Sequence, residues 1–344
     1  MLDPVPSLRD HLLRSWYSDR AYPALRPLAA IYGALLRVRA AAYRSGLLRS
    51  GHPGVPVVVI GNITVGGTGK TPLTLWLVQR LLEQGIRAGI ATRGYGRRSG
   101  EPQWVTSDSD PLAVGDEPIL LARRSAVPVC VAARRMDAAR LLVARGCQLI
   151  LCDDGLQHLA LRRDLAILVV DAQRGFGNGQ LLPAGPLREP PGALHRASLM
   201  VINGPQTPVG LPAGGAVLRM TLKMDEALAL RGGARESIHM WRGQSLHAVA
   251  GIGNPQRFFA ALRDCGIDVV EHAFPDHHRF SAQDFEFGDR RSIIMTEKDA
   301  VKCQALADSR MWMVPVTAEF SAADSTRLLA AVQVAILGGG RSGA

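Results

Sequence analysis

A run of β-branched residues followed by a glycine-rich loop and a Lys-Thr pair constrains the fold of this chain more than any other feature. Residues 55–60 read as a buried strand, and the loop after them ends in Gly66-Gly67-Thr68-Gly69-Lys70-Thr71. Glycines let successive backbone N–H groups turn toward phosphate oxygens, and a helix predicted over residues 72–84 adds the positive end of its dipole. The Lys70 side chain can reach the β- and γ-phosphates of a nucleotide, and the Thr71 hydroxyl can ligate Mg²⁺. The sequence therefore predicts a phosphate-binding loop between a strand and a helix.

One position of this loop departs from the usual pattern. A glycine is expected at position 64, where this chain has Thr64. The departure weakens the bare pattern, but the preceding strand, the paired Gly66-Gly67 and Pro72 at the helix start favour phosphate binding. The alternative is a Gly-Lys-Thr loop that serves no nucleotide.

Apolar strands alternate with helical segments over the first two thirds of the chain. This alternation is typical of a P-loop NTPase-like α/β fold, with a mostly parallel sheet and helices on both faces. A helix is predicted over residues 137–145, and the strands after the first are predicted at residues 86–92, 128–131, 149–152, 165–170 and 199–202.

A Pro- and Gly-rich stretch around residues 205–215 marks a predicted domain boundary. We expect a nucleotide-binding domain over residues 51–212 and a smaller α/β domain over residues 246–337, whose last helix can return to the first domain. Between them, residues 213–245 are expected to supply a two-stranded β hinge, formed by segments 216–222 and 237–241. Residues 338–344 are expected to be a disordered tail.

The first fifty residues predict a basic amphipathic helix. Apolar side chains recur at mostly helical spacing between residues 28 and 48, with arginines among them, and the whole chain carries a net charge of +10. Such a helix either contacts an anionic membrane surface or packs its apolar face on the domain behind it. Basic and aromatic residues are not interleaved, so no nucleic-acid partner is expected, and no protein partner is inferred. No apolar run reaches the roughly 18 residues of a spanning helix, no signal peptide is recognised, and the cysteines show no metal-ligand spacing.

Two adjacent carboxylates, Asp153 and Asp154, follow an apolar strand. The carboxyl edge of a parallel sheet is where metal–phosphate complexes bind, and hard oxygen ligands suit Mg²⁺. Gln157 follows within reach of the same edge. We favour a Mg²⁺ site here over the alternative, an Asp-Asp-Gly turn after a core strand.

Three further segments carry polar side chains suited to an acceptor. Gly115-Asp116-Glu117-Pro118 places two carboxylates in a loop. Arg93-Gly94-Tyr95-Gly96-Arg97 combines two guanidiniums with a tyrosine, which suits a phosphate and a sugar ring. Asp276-His277-His278 suggests a histidine that supports a catalytic carboxylate, rather than a metal site. Each segment alone could equally be a solvated charged turn.

Taken together, these segments resemble one family, the tetraacyldisaccharide 4′-kinases, which are the lipid A 4′-kinases of Gram-negative bacteria. The resemblance runs from about residue 10 to residue 330 in family order, and Thr64 belongs to the family's form of the loop. The matching segments are residues 61–72, 93–97, 115–118, 153–158, 182–189, 251–255, 274–278 and 296–300.

The resemblance implies phosphorylation of the 4′-hydroxyl of tetraacyldisaccharide 1-phosphate by ATP and Mg²⁺, on the cytoplasmic face of the inner membrane. It implies that Asp116 is the acceptor base, with His277 rather than His278 as its partner and Lys70 as a catalytic cation. The nucleotide ligands it implies are Gly66, Gly67, Thr68, Gly69, Lys70, Thr71, Arg188 and Glu189. The metal ligands are expected to be Thr71, Asp153, Asp154 and Gln157, and the substrate-side residues Arg93, Tyr95, Glu117 and Arg135.

Two other functions are compatible with parts of the sequence. A membrane-associated GTPase-like switch or metallochaperone would carry Asn-Lys-x-Asp after a late strand, and Val201-Ile202-Asn203-Gly204 lacks the Lys and the Asp. A non-catalytic basic membrane-binding protein would not need an intact set of Lys70, Thr71 and the Asp pair.

Overall fold

The computed structural model describes residues 12–13, 15–18, 22–97, 100–211 and 216–339. Within these residues the chain divides into two compact units. The first is drawn from Met1–Lys70, Arg134–Thr221 and Phe320–Ala344, and the second from Thr71–Ala133 and Leu222–Glu319. The predicted domain limits divide the chain differently and stay a prediction. Part of the predicted N-terminal segment (residues 1–11, 14 and 19–21) and residues 340–344 of the predicted tail lie outside the described residues.

The strands of the described residues, in chain order, are β1 (Val57–Gly61), β2 (Ala88–Thr92), β3 (Gln103–Val105), β4 (Val129–Val131), β5 (Leu149–Asp153), β6 (Leu165–Asp171), β7 (Leu199–Asn203), β8 (Val217–Lys223), β9 (Glu226–Ala229), β10 (Arg235–Ser237), β11 (Ser245–Ala250), β12 (Asp268–Ala273), β13 (Ile293–Thr296), β14 (Met311–Val314) and β15 (Thr317–Phe320). The α-helices are α1 (Arg26–Arg44), α2 (Lys70–Glu83), α3 (Pro111–Val114), α4 (Asp116–Ser125), α5 (Arg135–Ala144), α6 (Pro255–Asp264), α7 (Glu297–Cys303) and α8 (Ala322–Gly339). Short 3₁₀-helices lie at Pro23–Leu25, Pro191–Arg196, Ile238–Trp241, Ala282–Phe285 and Gln304–Leu306.

In the first unit, parallel strands run in the order β8-β7-β6-β1-β5. Their register sets Val57 beside Ile150 and Val58 beside Leu165. Every residue of β1, β5, β6 and β7 is buried, as expected for parallel strands covered on both faces. Helix α8 packs on β1 and β6. The α/β class and the strands predicted around the phosphate loop are thereby confirmed.

The second unit contains a six-stranded sheet in the order β10-β9-β14-β13-β11-β12. Side chains alternate across β11, which separates two cores. Ala248 packs with Phe259 of helix α6 on one face. Val249 packs with Ala300 of helix α7 on the other. Strands β2 and β4 are parallel and β3 is antiparallel to β4 in the same unit.

The predicted pairing of segment 216–222 with segment 237–241 is wrong. Strand β8 instead extends the parallel order beside β7 and buries Leu218 and Met220. Residues Ile238–Trp241 form a 3₁₀ turn, because Ile238 and Trp241, three positions apart, are both buried. The chain leaves the first unit within β8 and returns to it at the end of β15, and an ion pair of 2.6 Å joins Lys223 to Glu319 at these strands.

Helix α1 has one docked face and one exposed face. Ala29 and Gly33 are buried, and the Tyr32 hydroxyl donates to the backbone oxygen of Arg188 at 2.9 Å. On the other face Leu28, Ile31, Leu35 and Val38 are each more than half exposed. The spacing of these four side chains is helical, so they form one continuous apolar stripe.

Candidate functional site

The phosphate loop connects β1 to α2 in the conformation that its glycines permit. Gly66 has φ 110° and Gly69 has φ 97°, both in the left-handed region that side chains disfavour. Thr64 has no such backbone requirement; it forms an isolated antiparallel bridge with Leu187. This explains why a threonine is accommodated where the usual pattern has glycine.

Two buried asparagines brace the loop. Asn62 Nδ2 donates to the backbone oxygen of Thr64 at 2.8 Å, and Asn62 Oδ1 accepts from Lys70 Nζ at 3.3 Å. Asn203, at the end of β7, donates from Nδ2 to the backbone oxygen of Thr68 at 2.9 Å. A buried side-chain amide that satisfies a loop carbonyl restricts the loop to one conformation. The sequence did not predict either role; the available signal was a polar residue directly after a fully apolar strand.

A cluster of one carboxylate and two cations lies beside the loop. Asp154 Oδ1 is 3.5 Å from Lys70 Nζ, and both Asp154 oxygens accept from Arg188 Nη1, at 2.9 and 3.2 Å. Burial alone raises the pKa of the Asp154 carboxyl, but the charges of Lys70, Arg188 and Arg135 outweigh it and lower the pKa to about 2. Asp154 is therefore an anion over the whole physiological range. The structure thus brings together the predicted residues Lys70, Asp154 and Arg188.

The remaining predicted metal ligands lie at the same strand edge or at the start of α2. Asp153 ends β5 and is 1% exposed. Gln157 Nε2 donates to the backbone oxygen of Asn62 at 2.8 Å. Thr71 lies in the first turn of α2. Among the described residues no group of three or more His, Cys, Asp or Glu side chains could hold a metal ion. The oxygen atoms of the predicted ligands, Asp153, Asp154, Gln157 and Thr71, nevertheless suit Mg²⁺. This ion is usually held by one or two carboxylates together with water and substrate phosphates.

Glu189 and Arg135 are buried. Glu189 is 6% exposed and forms an ion pair with Arg196. Arg135 is 3% exposed, and its Nη2 donates to the backbone oxygen of Asp154 at 3.3 Å, whereas Nε and Nη1 have no hydrogen-bond partner among the described residues. Their predicted contacts with nucleotide and substrate stay predictions.

In the second unit, Asp116 and His277 form a pair although 161 positions separate them. Asp116 is the first residue of α4, and His277 Nδ1 lies 3.2 Å from its Oδ2. Burial raises the pKa of the Asp116 carboxyl, but the hydrogen bond from His277 and the charges of Lys298, His277 and Lys302 lower it to about 2. The same hydrogen bond raises the pKa of His277. The pair therefore favours a carboxylate held by a protonated imidazole.

His278 lies apart from Asp116. Its Nε2 is 3.3 Å from Asp284 Oδ2, and its ring packs on Phe274 and Phe280. Of the two adjacent histidines, His277 is the one that meets the predicted base.

Lys298 of helix α7 joins the carboxylates around this pair. Its Nζ is 3.0 Å from Glu117 Oε1, 3.2 Å from Asp276 Oδ1 and 4.0 Å from Asp116 Oδ2. Residues 296–300 are one of the segments that resemble the family, but the sequence predicts no role for Lys298. Glu117, predicted on the substrate side, is held by this lysine.

The predicted substrate residues Arg93 and Tyr95 are exposed. The Tyr95 ring is 67% exposed and its centroid lies 5.0 Å from that of His277. A Cβ on Gly94 would lie 2.3 Å from the Val114 oxygen, so glycine is required where this loop meets the start of α4. The close approach sets Tyr95 beside the Asp116–His277 pair.

Two of the site residues have strained backbones. Asp154 has φ 50° and His277 has φ 63°; the only other non-glycine residue with positive φ in the described part of the chain is Ala126. Such conformations cost about 1–3 kcal/mol and are concentrated at functional sites.

A family model described as tetraacyldisaccharide-1-P 4′-kinase matches residues 21–333. The chain belongs to this family of kinases. The tetraacyldisaccharide 4′-kinase of Xanthomonas euvesicatoria is 48% identical over 324 residues, covering 91% of this chain and 93% of that protein. That of Alkalilimnicola ehrlichii is 50% identical over 310 residues, covering 90% and 92%. The crystal structure of LpxK from Aquifex aeolicus, titled an "apo" form in complex with ATP, superposes with a TM-score of 0.76 at 27% identity and covers 91% of this chain and 98% of that one.

Membership of the tetraacyldisaccharide 4′-kinase family confirms the prediction made from the motifs. It identifies the chain as a kinase of lipid A biosynthesis and gives no support to the GTPase-like switch, the metallochaperone or the non-catalytic membrane protein. No helix within the described ranges combines the length and the apolar character that crossing a membrane requires.

Proposed function

We propose that this chain transfers the γ-phosphate of ATP to the 4′-hydroxyl of tetraacyldisaccharide 1-phosphate, with Asp116 as the base that accepts the hydroxyl proton. The Asp116–His277 pair carries the proposal. A phosphate loop serves hydrolases and switches as well as kinases, whereas a buried carboxylate supported by histidine suits the deprotonation of an acceptor hydroxyl. The family description supports the acceptor, and the ATP complex of the Aquifex aeolicus protein supports the donor.

Asp116 acts late in the transfer. With its pKa lowered to about 2, the carboxylate is a weak base toward a free alcohol. Phosphoryl transfer has a loose transition state, so the alcohol becomes acidic only as its bond to phosphorus forms. The proton then passes to an Asp116 oxygen, while His277 keeps the carboxylate oriented. Positioning supplies most of the rate enhancement.

Lys70 and Arg188 bind the triphosphate. Both cations contact Asp154, and a phosphate chain offers them a larger negative charge. Backbone N–H groups of residues 66–71 bind the β- and γ-phosphates. Glu189, which follows Arg188 in sequence, lies with it beside the triphosphate. Asp153, Asp154, Gln157 and the Thr71 hydroxyl would hold Mg²⁺, which neutralises charge on the transferred group when bound.

Arg93, Tyr95, Glu117 and Arg135 contact the disaccharide phosphate in this proposal. Tyr95 supports it best, because its exposed ring lies beside His277 and can stack on a sugar.

The exposed stripe of α1 contacts the cytoplasmic face of the inner membrane. Leu28, Ile31, Leu35 and Val38 present an apolar surface on a helix that also carries Arg37 and Arg39, which is the composition of an interfacial helix. The docked face of the same helix bonds to the Arg188 backbone, so membrane contact keeps the phosphate loop near a lipid acceptor. Leu35→Glu should reduce co-flotation with anionic vesicles, whereas Leu141→Glu, on an exposed apolar position of α5, should not. If both variants float with the vesicles to the same extent, the stripe does not bind membranes.

The experiment for the transfer itself is incubation of the purified chain with radiolabelled ATP, Mg²⁺ and tetraacyldisaccharide 1-phosphate. We expect label in a bisphosphorylated lipid, and no label when the acceptor lacks a free 4′-hydroxyl. Absence of lipid labelling, with ATP hydrolysis triggered by a different partner, would exclude the proposed activity.

A further inference from the structure

We propose that Lys298 is a positioning residue for the phosphoryl-transfer reaction: it holds the carboxylates of Asp116, Glu117 and Asp276 in one arrangement and so orients the Asp116–His277 pair. The proposal rests on the function proposed above and adds a residue to which neither the motif nor the family description assigns a role.

The first observation is the geometry of the charges. Lys298 Nζ lies 3.2 Å from Asp276 Oδ1 and 4.0 Å from Asp116 Oδ2, and His277 lies 3.8 Å from Asp276 Oδ1 and 3.2 Å from Asp116 Oδ2. Two cationic groups and two carboxylates therefore alternate around a closed ring. Each anion in the ring contacts both cations, so removal of either cation leaves both anions partly unpaired.

The second observation is burial. The side chains of Lys298 and Asp116 are 15% and 7% exposed, so water screens their interaction little. Glu117, at 40% exposed, is tied to Lys298 at 3.0 Å. Without the lysine, three carboxylates would share the site with less positive charge to balance them, and like-charge repulsion would displace the most exposed of them.

The third observation is the fixed position of helix α7. Thr296 caps it by accepting from the Asp299 backbone N–H, and Thr296 Oγ1 donates to Asp299 Oδ2 at 2.6 Å. The same Asp299 oxygen accepts from the Gly251 N–H at 2.9 Å, at the end of β11. Asp299 is fully buried, so the helix that carries Lys298 has little freedom to move.

The same contacts are expected of an ion pair that only stabilises the fold. A positioning residue differs from such a pair because its loss also affects the Asp116–His277 pair. Arg124 provides the comparison: its Nη1 pairs with Glu297 Oε2 at 2.9 Å, joining the same two helices, α4 and α7, at a different carboxylate. Loss of either pair should lower stability. Only loss of Lys298 should change the pKa values of Asp116 and His277.

The sign of that change follows from the charges. The charge of Lys298 lowers the pKa of Asp116 and also that of His277. Lys302, one turn further along α7 and facing Asp116, and Asp276, beside His277, are both unchanged in such a variant. Removing the Lys298 charge should therefore raise both pKa values together.

The test compares Lys298→Met, Lys298→Arg and Arg124→Gln in the full chain. The readouts are kcat and KM for ATP at about neutral pH and the NMR titration of the His277 ring, identified by its loss in His277→Ala. For Lys298→Met we expect kcat to fall about tenfold or more, KM for ATP to stay within about threefold, and the His277 titration to move to higher pH. Lys298→Arg should restore the wild-type titration, and Arg124→Gln should leave both kcat and titration unchanged.

An unmoved His277 titration in folded Lys298→Met, or the same upward shift in Arg124→Gln, would overturn the proposal. If Lys298→Met does not fold, Lys298→Gln is titrated in its place: an upward shift of the His277 titration supports the proposal and an unmoved titration contradicts it. If the wild-type chain transfers no phosphate to the acylated disaccharide, the proposed function fails instead, whereas the titration still reports whether Lys298 organises the pair.

Discussion

Replacing Gly69 by alanine should weaken ATP binding through two separable effects. The backbone at Gly69 has φ 97°, which costs an alanine about 1–2 kcal/mol. A Cβ there would lie 2.5 Å from Asn203 Nδ2, the atom that donates to the Thr68 oxygen. Asn203 must move, which removes a hydrogen bond with a net contribution of about 1 kcal/mol. The native loop is therefore disfavoured by about 2–3 kcal/mol.

If ATP binds only the native loop, this energy appears in the dissociation constant as an increase of about 30- to 160-fold. The assay is isothermal titration of Gly69→Ala with ATP and Mg²⁺. The control is Gly85→Ala, because Gly85 has φ 72° but no described atom would lie within 4 Å of a Cβ added there. The control should be destabilised by the backbone term alone and bind ATP normally. A dissociation constant for Gly69→Ala within about threefold of wild type would refute this account of the loop.

Three further predictions concern the second unit. His277→Ala removes the main contact that lowers the pKa of Asp116, so the acid limb of kcat should move to higher pH; an unmoved limb would argue against the pair. Burial, His247 and Arg291 lower the pKa of His272 to about 4, so the folded state excludes a proton that the unfolded state binds below pH 6.5. Stability in urea should therefore fall as pH drops from 6.5 to about 4, and His272→Gln should flatten that slope. Phe259→Ala should lower the free energy of unfolding by about 3–5 kcal/mol because the ring is fully buried; a loss below about 1 kcal/mol would mean that the core refills the space.

Local patterns in the sequence predicted the features that depend on neighbouring residues. Fully apolar β-branched runs identified the buried parallel strands, and the glycines next to Lys70 identified the phosphate loop. The family motifs also placed Asp116 and His277 in one prediction, although the distance between them depends on a fold that brings together residues 161 positions apart.

The features that were missed depend on contacts that no local pattern encodes. Residues 237–241 alternate in polarity like a strand, but burial of Ile238 and Trp241 in one core selects a 3₁₀ turn. The role of Asn203 is visible only once β7 lies beside the loop that it braces. Lys298 stands in a helix N-terminus that reads as an ordinary charged turn, and only the tertiary structure shows three carboxylates around it.

Helix α1 illustrates a third case, in which the sequence allowed two interpretations: the structure shows one docked face and one exposed apolar face, and membrane contact stays a proposal. Its small residues Ala29 and Gly33 face the protein, while the larger Leu28, Ile31, Leu35 and Val38 face outward. Amphipathic spacing alone does not distinguish a docked face from a free one when apolar side chains occupy both.

The most direct test of the central claim is the kinetics of Asp116→Asn, which keeps the shape of the side chain and removes the proton acceptor. Transfer from ATP to tetraacyldisaccharide 1-phosphate should fall by about 10²- to 10⁴-fold in kcat. The dissociation constant for ATP should stay within about threefold of wild type, because Asp116 is not among the residues proposed to bind the triphosphate. Near-normal turnover of Asp116→Asn would contradict the assignment of Asp116 as the base.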